Sequence, residues 1–240
     1  MASRRHDRVV LDALEAMEPE AFAGDVWRVA ARDRDPLRGS TAEGRWSPAG
    51  EFEVLYTSLE RDGALTEIGY RLWLEPVWPS QVQHQVHRIG ARMERSLRFP
   101  DVASLAPLGV EPSRYSSFDY GPTQAIAAAA QFLGFESLIV PSARSPALHL
   151  VVFLDAILDG RALTVLETED VDWDAWRRKR RWQHGAGGVA EEGLPCRTAD
   201  TLGPVHPGRS ATRELGPPGG RARVGTGFGV RAQDLRCGRW

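Results

Sequence analysis

The sequence predicts an α+β fold, a mixed sheet core with short helices. Two observations carry that prediction. Strand-like segments outnumber long helical ones, and the helices interrupt the strands instead of alternating regularly with them. A doubly wound parallel sheet would show the regular alternation.

VVLDALEAM reads as a short amphipathic helix, with Val10, Leu14 and Met17 spaced by four and three. DVWRVA reads as the first strand, with Val26, Arg28 and Ala30 on one face and Trp27 and Val29 on the other. The polar loop ARDRDPLRGSTAEG follows, then a turn at RWS-PAG and a strand over EFEVLYTS, rich in strong β formers. Ser58 is placed to cap a helix running through LERDGALTEIGYRLW, where Leu65, Ile68 and Leu72 form a stripe and Gly63 weakens the helix. VQHQVHRI, residues 82–89, alternates like a strand, and residues 91–120 read as irregular with short helical pieces. TQAIAAAAQFLGF is an alanine-rich helix ending at Gly134. SLIVPSAR is a buried strand entering a Pro-Ser turn, and HLVVFL and RALTVLETEDVDW are two further strands.

Three regions follow: an N-terminal helical segment over 1–24, a folded body domain over 25–176, and a basic Gly/Arg/Pro-rich tail over 177–240. Residues 177–240 hold 13 basic and 5 acidic side chains, against 17 and 27 in residues 1–176. The acidic body excludes a general nucleic-acid-binding core, which rests on Lys and Arg neutralising phosphates. From about Gln183 the chain carries 13 of the 24 glycines and hardly any apolar periodicity, a composition that predicts disorder. The run RRKRR at 177–181 reads as a solvated or interaction segment, with nonspecific nucleic-acid binding as a further use.

Both cysteines, Cys196 and Cys237, lie in the tail, so the body holds no disulfide framework and no Cys-based metal site. The N-terminus is charged too early for a signal peptide, and the longest apolar run is broken by Asp155. These features predict a soluble cytoplasmic protein without membrane contact. His84 and His87 fall on opposite faces of their strand and no HExxH is present, so no metal site is expected.

The residues with chemical promise sit in GRWSPAGEFEVLYTSLERDGALTE, residues 44–67, where Arg45, Tyr56 and Glu67 recur at two intervals of eleven. WRVA with Arg28 precedes them. The helix TQAIAAAAQFLGF and the strand-turn LIVPSAR with Ser142 follow. Taken in this order the set resembles the RES domain family, over most of the body from DVWRVA to about FLDAIL. One departure stands out: LHLVVFLD occupies the place of an Asn-rich segment common in the family.

The resemblance implies a fold similar to ADP-ribosyltransferases. It also implies NAD+ as substrate, cleaved at the nicotinamide–ribose bond by hydrolysis or by phosphorolysis with inorganic phosphate. It implies the toxin half of a bacterial toxin–antitoxin pair, blocked by a cognate antitoxin that usually carries a helix-turn-helix domain. Homo-oligomerisation is left open. Two rival readings are an ADP-ribosyltransferase that modifies a macromolecule and a non-catalytic partner-binding module of the same fold.

The residue types suit that chemistry. Nicotinamide is a good leaving group, so the transition state is oxocarbenium-like and wants a carboxylate near the ribose, the role of Glu67. Glu67 also reads as a surface partner of Arg71 at i, i+4. No Gly-x-Gly-x-x-Gly follows a strand, so charge on the pyrophosphate must come from side chains; Arg28 and Arg45 offer bidentate contacts. Tyr56 is expected to pack on nicotinamide or donate its hydroxyl, or else to be a sheet-face aromatic. Ser142 is expected to orient substrate, or else to serve its own turn.

Overall fold

The computed structural model describes residues 6–75, 82–158 and 160–185. Packing is described for the compact unit Met1–Arg178. Helix α1 covers Arg8–Glu15, capped by the Asp7 carboxylate, which accepts from Val9 N–H. Strand β1, Glu20–Ala31, starts before the expected DVWRVA, inside the segment read as helical. Strand β2 is Val54–Ser58 and helix α2 is Arg61–Leu74. Strand β3 is His84–Arg98, and two 3-10 turns follow at Ala103–Leu108 and Pro112–Arg114. Helix α3 is Gly121–Phe132, β4 Ser137–Pro141, β5 Leu148–Phe153, β6 Leu163–Asp170, and α4 Trp173–Gly185.

The strand order is β1-β2-β5-β4-β3-β6, and β1 also pairs with β3. Five strands therefore close into a small barrel, with β6 hydrogen-bonded to β3 outside the ring. The β3–β4 pair is parallel and the others are antiparallel. Val26, Leu55, Ile89, Ala91, Met93, Ile139, Leu150 and Val152 come from all five ring strands and pack as one buried cluster, the barrel interior. Burying each large aliphatic side chain there contributes roughly 1.5–3 kcal/mol.

Two clusters cover the outside. Helices α1 and α3 pack Leu14, Ile126 and Ala127–Ala130 against Val140, Val151 and Phe153. The small alanines let α3 lie close to the sheet. Its start carries Pro122 near N1, where a missing N–H costs nothing, and Gly134 beyond its end adopts φ +77°. Helix α2 packs Ala64 and Leu65 against Val29, Val86 and Trp173. It stops at Glu75, the residue before Pro76, where the helical region is sterically disfavoured.

Three sequence expectations need correction. Ser58 does not cap α2: Glu60 is the N-cap without a side-chain bond, and the Ser58 hydroxyl accepts from Glu60 N–H at 3.3 Å. Glu51–Glu53 are turn and coil, so β2 begins at Val54. Residues 91–98 are not irregular; they continue β3, where pairing with β1 carries the strand past the point at which the adjacent exposed pair Glu94 and Arg95 breaks the alternation. The basic run at 177–181 lies in α4, which reaches Gly185, and the rest of the expected disordered tail lies outside the described residues.

Candidate active site

The site grows from the turn Gly44–Ser47, which closes by paired backbone bonds, Gly44 N–H to Ser47 O at 2.9 Å and Ser47 N–H to Gly44 O at 3.3 Å. The Tyr56 hydroxyl, projecting from β2, accepts the Trp46 N–H at 2.9 Å and donates to Ser47 Oγ at 3.2 Å. Ser47 Oγ donates onward to Ala42 O at 2.8 Å. A Cβ at Gly44 would stand 2.7 Å from the Tyr56 hydroxyl oxygen, so only glycine admits this contact. From α3, Thr123 Oγ1 donates to Arg45 O at 2.6 Å and Gln124 Nε2 to Gly44 O at 2.9 Å. The turn is braced from a strand and a helix at once.

That bracing fixes Arg45. Its guanidinium carbon lies 4.7 Å from the Tyr115 ring centre and 5.0 Å from that of Tyr120, and Nη2 donates to Ser117 O at 3.1 Å. Burial lowers the Arg45 pKa, while Tyr115, Tyr120 and Glu67 pull the other way. The Tyr115 hydroxyl donates to Pro141 O at 2.6 Å, and burial raises its pKa well above the ordinary phenol value. Ser142 follows Pro141. Its Oγ accepts Arg144 N–H at 3.1 Å, and the Arg144 guanidinium stacks 3.9 Å over Tyr70 of α2.

Glu67, also on α2, keeps its carboxylate 30% exposed and 3.7 Å from Arg71 Nε. It is within electrostatic reach of Arg45, Tyr115 and His149. The structure thus gathers Arg45, Tyr56, Glu67 and Ser142 on one outer face. The surface pair with Arg71 is also present, so the two readings of Glu67 coexist.

Arg28 does not converge with them. It alternates with Val26 and so faces the barrel interior, opposite His87 on β3. Burial, with Arg34 adding repulsion and Asp35 opposing it, lowers its pKa to about 10, and Nη1 meets no hydrogen-bond partner among the described residues. The Tyr56 hydroxyl is committed to the Arg45 turn, and burial pushes its pKa up to about 12.

Sequence reasoning missed Tyr70, Tyr115, Tyr120, Arg144 and His149. Tyr115 and Tyr120 lie where no periodicity marks them. His149 lies in LHLVVFLD, the segment that departs from the family. Among the described residues, no group of three or more His, Cys, Asp or Glu is placed to hold a metal ion. His84 Nδ1 accepts from Trp173 Nε1 at 3.2 Å, and His87 Nδ1 lies 2.9 Å from Thr168 Oγ1.

The RES domain matches residues 25–174. The chain belongs to the RES domain family. It is similar to a probable NAD(+) phosphorylase, Rv3189, of Mycobacterium tuberculosis (strain ATCC 25618 / H37Rv), with 34% identity over 124 residues. That match takes in 51% of this chain and 58% of the relative, so this RES chain spans less than two thirds of that protein. The crystal structure of the M. tuberculosis MbcT–MbcA toxin–antitoxin complex holds a similar chain, with TM-score 0.65 and 19% identity. The match covers 73% of this chain and 98% of that one. At that identity the likeness shows a shared fold, a small barrel-like sheet with helices packed outside it.

Proposed function

We propose that this RES protein is the toxin of a toxin–antitoxin pair and degrades NAD+ by breaking the nicotinamide–ribose bond. The observation that carries the reading is the Arg45–Glu67 arrangement. A cation held between two tyrosines stands within electrostatic reach of a carboxylate that accepts no hydrogen bond among the described residues. The relative named as a phosphorylase supports inorganic phosphate as the acceptor.

In this reading Glu67 stabilises positive charge developing on the ribose as the electron pair of the C1–N bond leaves with nicotinamide. A phosphate oxygen then bonds to C1. Arg45 holds one end of the pyrophosphate and Ser142 orients the substrate. Arg28 faces the barrel interior and makes no contact with the dinucleotide in this reading. Tyr56 acts through the turn it braces, so the expected packing on nicotinamide passes to no single residue.

The toxin neighbour supports an antitoxin as partner. A helix-turn-helix domain on that antitoxin and a cytoplasmic site of action belong to the same proposal. Among the described residues, no helix is long and apolar enough to cross a membrane.

The test is NAD+ loss followed by chromatography, with the full chain, with and without phosphate. ADP-ribose-1″-phosphate that forms only with phosphate, and a fall of about 10² or more in turnover for Glu67→Ala, are expected. An unchanged rate in that variant removes Glu67 from the mechanism. Mass added to a protein in place of a free product would favour ADP-ribose transfer, and no NAD+ loss from folded protein would favour a binding module.

A further inference from the structure

Strand β5 alternates cleanly, with Leu150 and Val152 in the barrel interior and Val151 and Phe153 outside. His149 therefore lies on the outer face. It pairs with Ser58 of β2 and with Val140 of β4, two residues before Ser142. Its Nε2 is sealed from solvent and meets no hydrogen-bond partner among the described residues. The charged groups that face it are Glu67 and Arg71 of α2 and Arg45 of the braced turn. Burial lowers its pKa from 6.5, which keeps the ring neutral near pH 7 with a single N–H.

A buried imidazole nitrogen without a partner is rare in folded proteins and calls for one. The nearby Glu67 carboxylate, 30% exposed, is open to a further donor. Glu67 accepts no hydrogen bond among the described residues, and its ion pair with Arg71 is loose at 3.7 Å. A sugar hydroxyl supplies both needs at once, since it accepts from an N–H and donates to a carboxylate.

We propose that His149 Nε2–H and the Glu67 carboxylate grip one hydroxyl of the nicotinamide-side ribose from two sides, so that His149 decides whether a ribose or a deoxyribose is taken. This rests on the dinucleotide reading above. No bond is made or broken by His149; it selects the sugar and holds it against Glu67.

The experiment compares NAD+ with analogues that lack the 2- or the 3-hydroxyl on that ribose, in the wild type, His149→Asn and His149→Phe. Wild type is expected to favour NAD+ over one of the two analogues by roughly 10² or more in kcat/KM, as sites built to bond a hydroxyl do. His149→Phe should narrow that gap at least tenfold, through loss of NAD+ turnover, while His149→Asn, which keeps an N–H donor, retains more of it. Equal discrimination by wild type and His149→Phe overturns the inference while leaving the NAD+ reading intact. A wild type that does not consume NAD+ overturns both. Should His149→Phe fail to fold, wild-type protein carrying ¹⁵N-histidine is titrated with carbocyclic NAD+, an uncleavable analogue that keeps the diol. A His149 Nε2 resonance displaced on binding supports the grip, and an unchanged signal overturns it.

Discussion

The Tyr56 hydroxyl holds the backbone of Trp46, accepting its N–H at 2.9 Å, and thereby holds the residue before it, Arg45, in place. Replacing Tyr56 with Phe leaves that N–H without its partner. The expected cost is about 1–3 kcal/mol of stability, read as a lower urea midpoint, with a parallel fall in NAD+ turnover. The raised pKa adds a sign. Unfolded tyrosine ionises near 10 and Tyr56 near 12, so this contribution is full below pH 10 and is lost as pH climbs from 10 to 12. Spectrophotometric titration should show two of the four tyrosines, Tyr56 and Tyr115, lagging, and one of those two lags should be absent in Tyr56→Phe.

Arg45 is held by stacking as much as by charge. Arg45→Lys keeps the charge but forfeits the planar contact with Tyr115 and Tyr120 and the bond to Ser117 O. Turnover should fall by about tenfold or more, a size usual where a positioned charge contact is lost. A lysine variant with wild-type kcat/KM would mean that charge alone suffices.

Helix α2 tolerates no methyl group at Gly63. A Cβ there would stand 2.4 Å from Ser58 Oγ and 2.7 Å from Ala147 Cβ. Helix propensity alone favours Ala by about 1 kcal/mol, yet overpacking costs about 1–3 kcal/mol. Gly63→Ala should therefore destabilise the fold. Adding Ser58→Ala should recover part of the loss, because one of the two obstructing atoms is gone; chemical denaturation of the four-variant cycle measures the coupling.

His84, His87 and His149 all have pKa values lowered chiefly by burial. Each folded-state value lies below the unfolded 6.5, so the unfolded chain binds more protons in that window. Stability should be flat above pH 6.5 and fall as pH drops below it. Denaturation midpoints from pH 7.5 to 5 check this. His149→Asn should shallow the slope.

Much of this was readable from residue order. The order of Arg45, Tyr56 and Glu67 reports a turn, a strand and a helix in succession, though not that they meet on one face, and SLIVPSAR places Ser142 at a strand end. Barrel closure was not readable, because the β1–β3 pairing joins residues about sixty apart with no local signal in either strand. That closure is also why Arg28 turned inward. Alternation says that Arg28 shares a face with Val26, but only the closed ring says that this face is the inside. Tyr115 lies just past the 3-10 turn Pro112–Arg114 and Tyr120 lies in coil, where chain geometry comes from packing and not from periodicity.

Gly63 lies one helical turn before Glu67, on the side of α2 that meets Ser58 and Ala147. The reach of the carboxylate is thus gauged by an atom that is not there. Such a clearance has no slack: a single added carbon acts as a shim, lifting the helix and every group it carries. Variation on the exposed face of α2 can change what the helix presents, whereas variation at Gly63 changes how far away it stands.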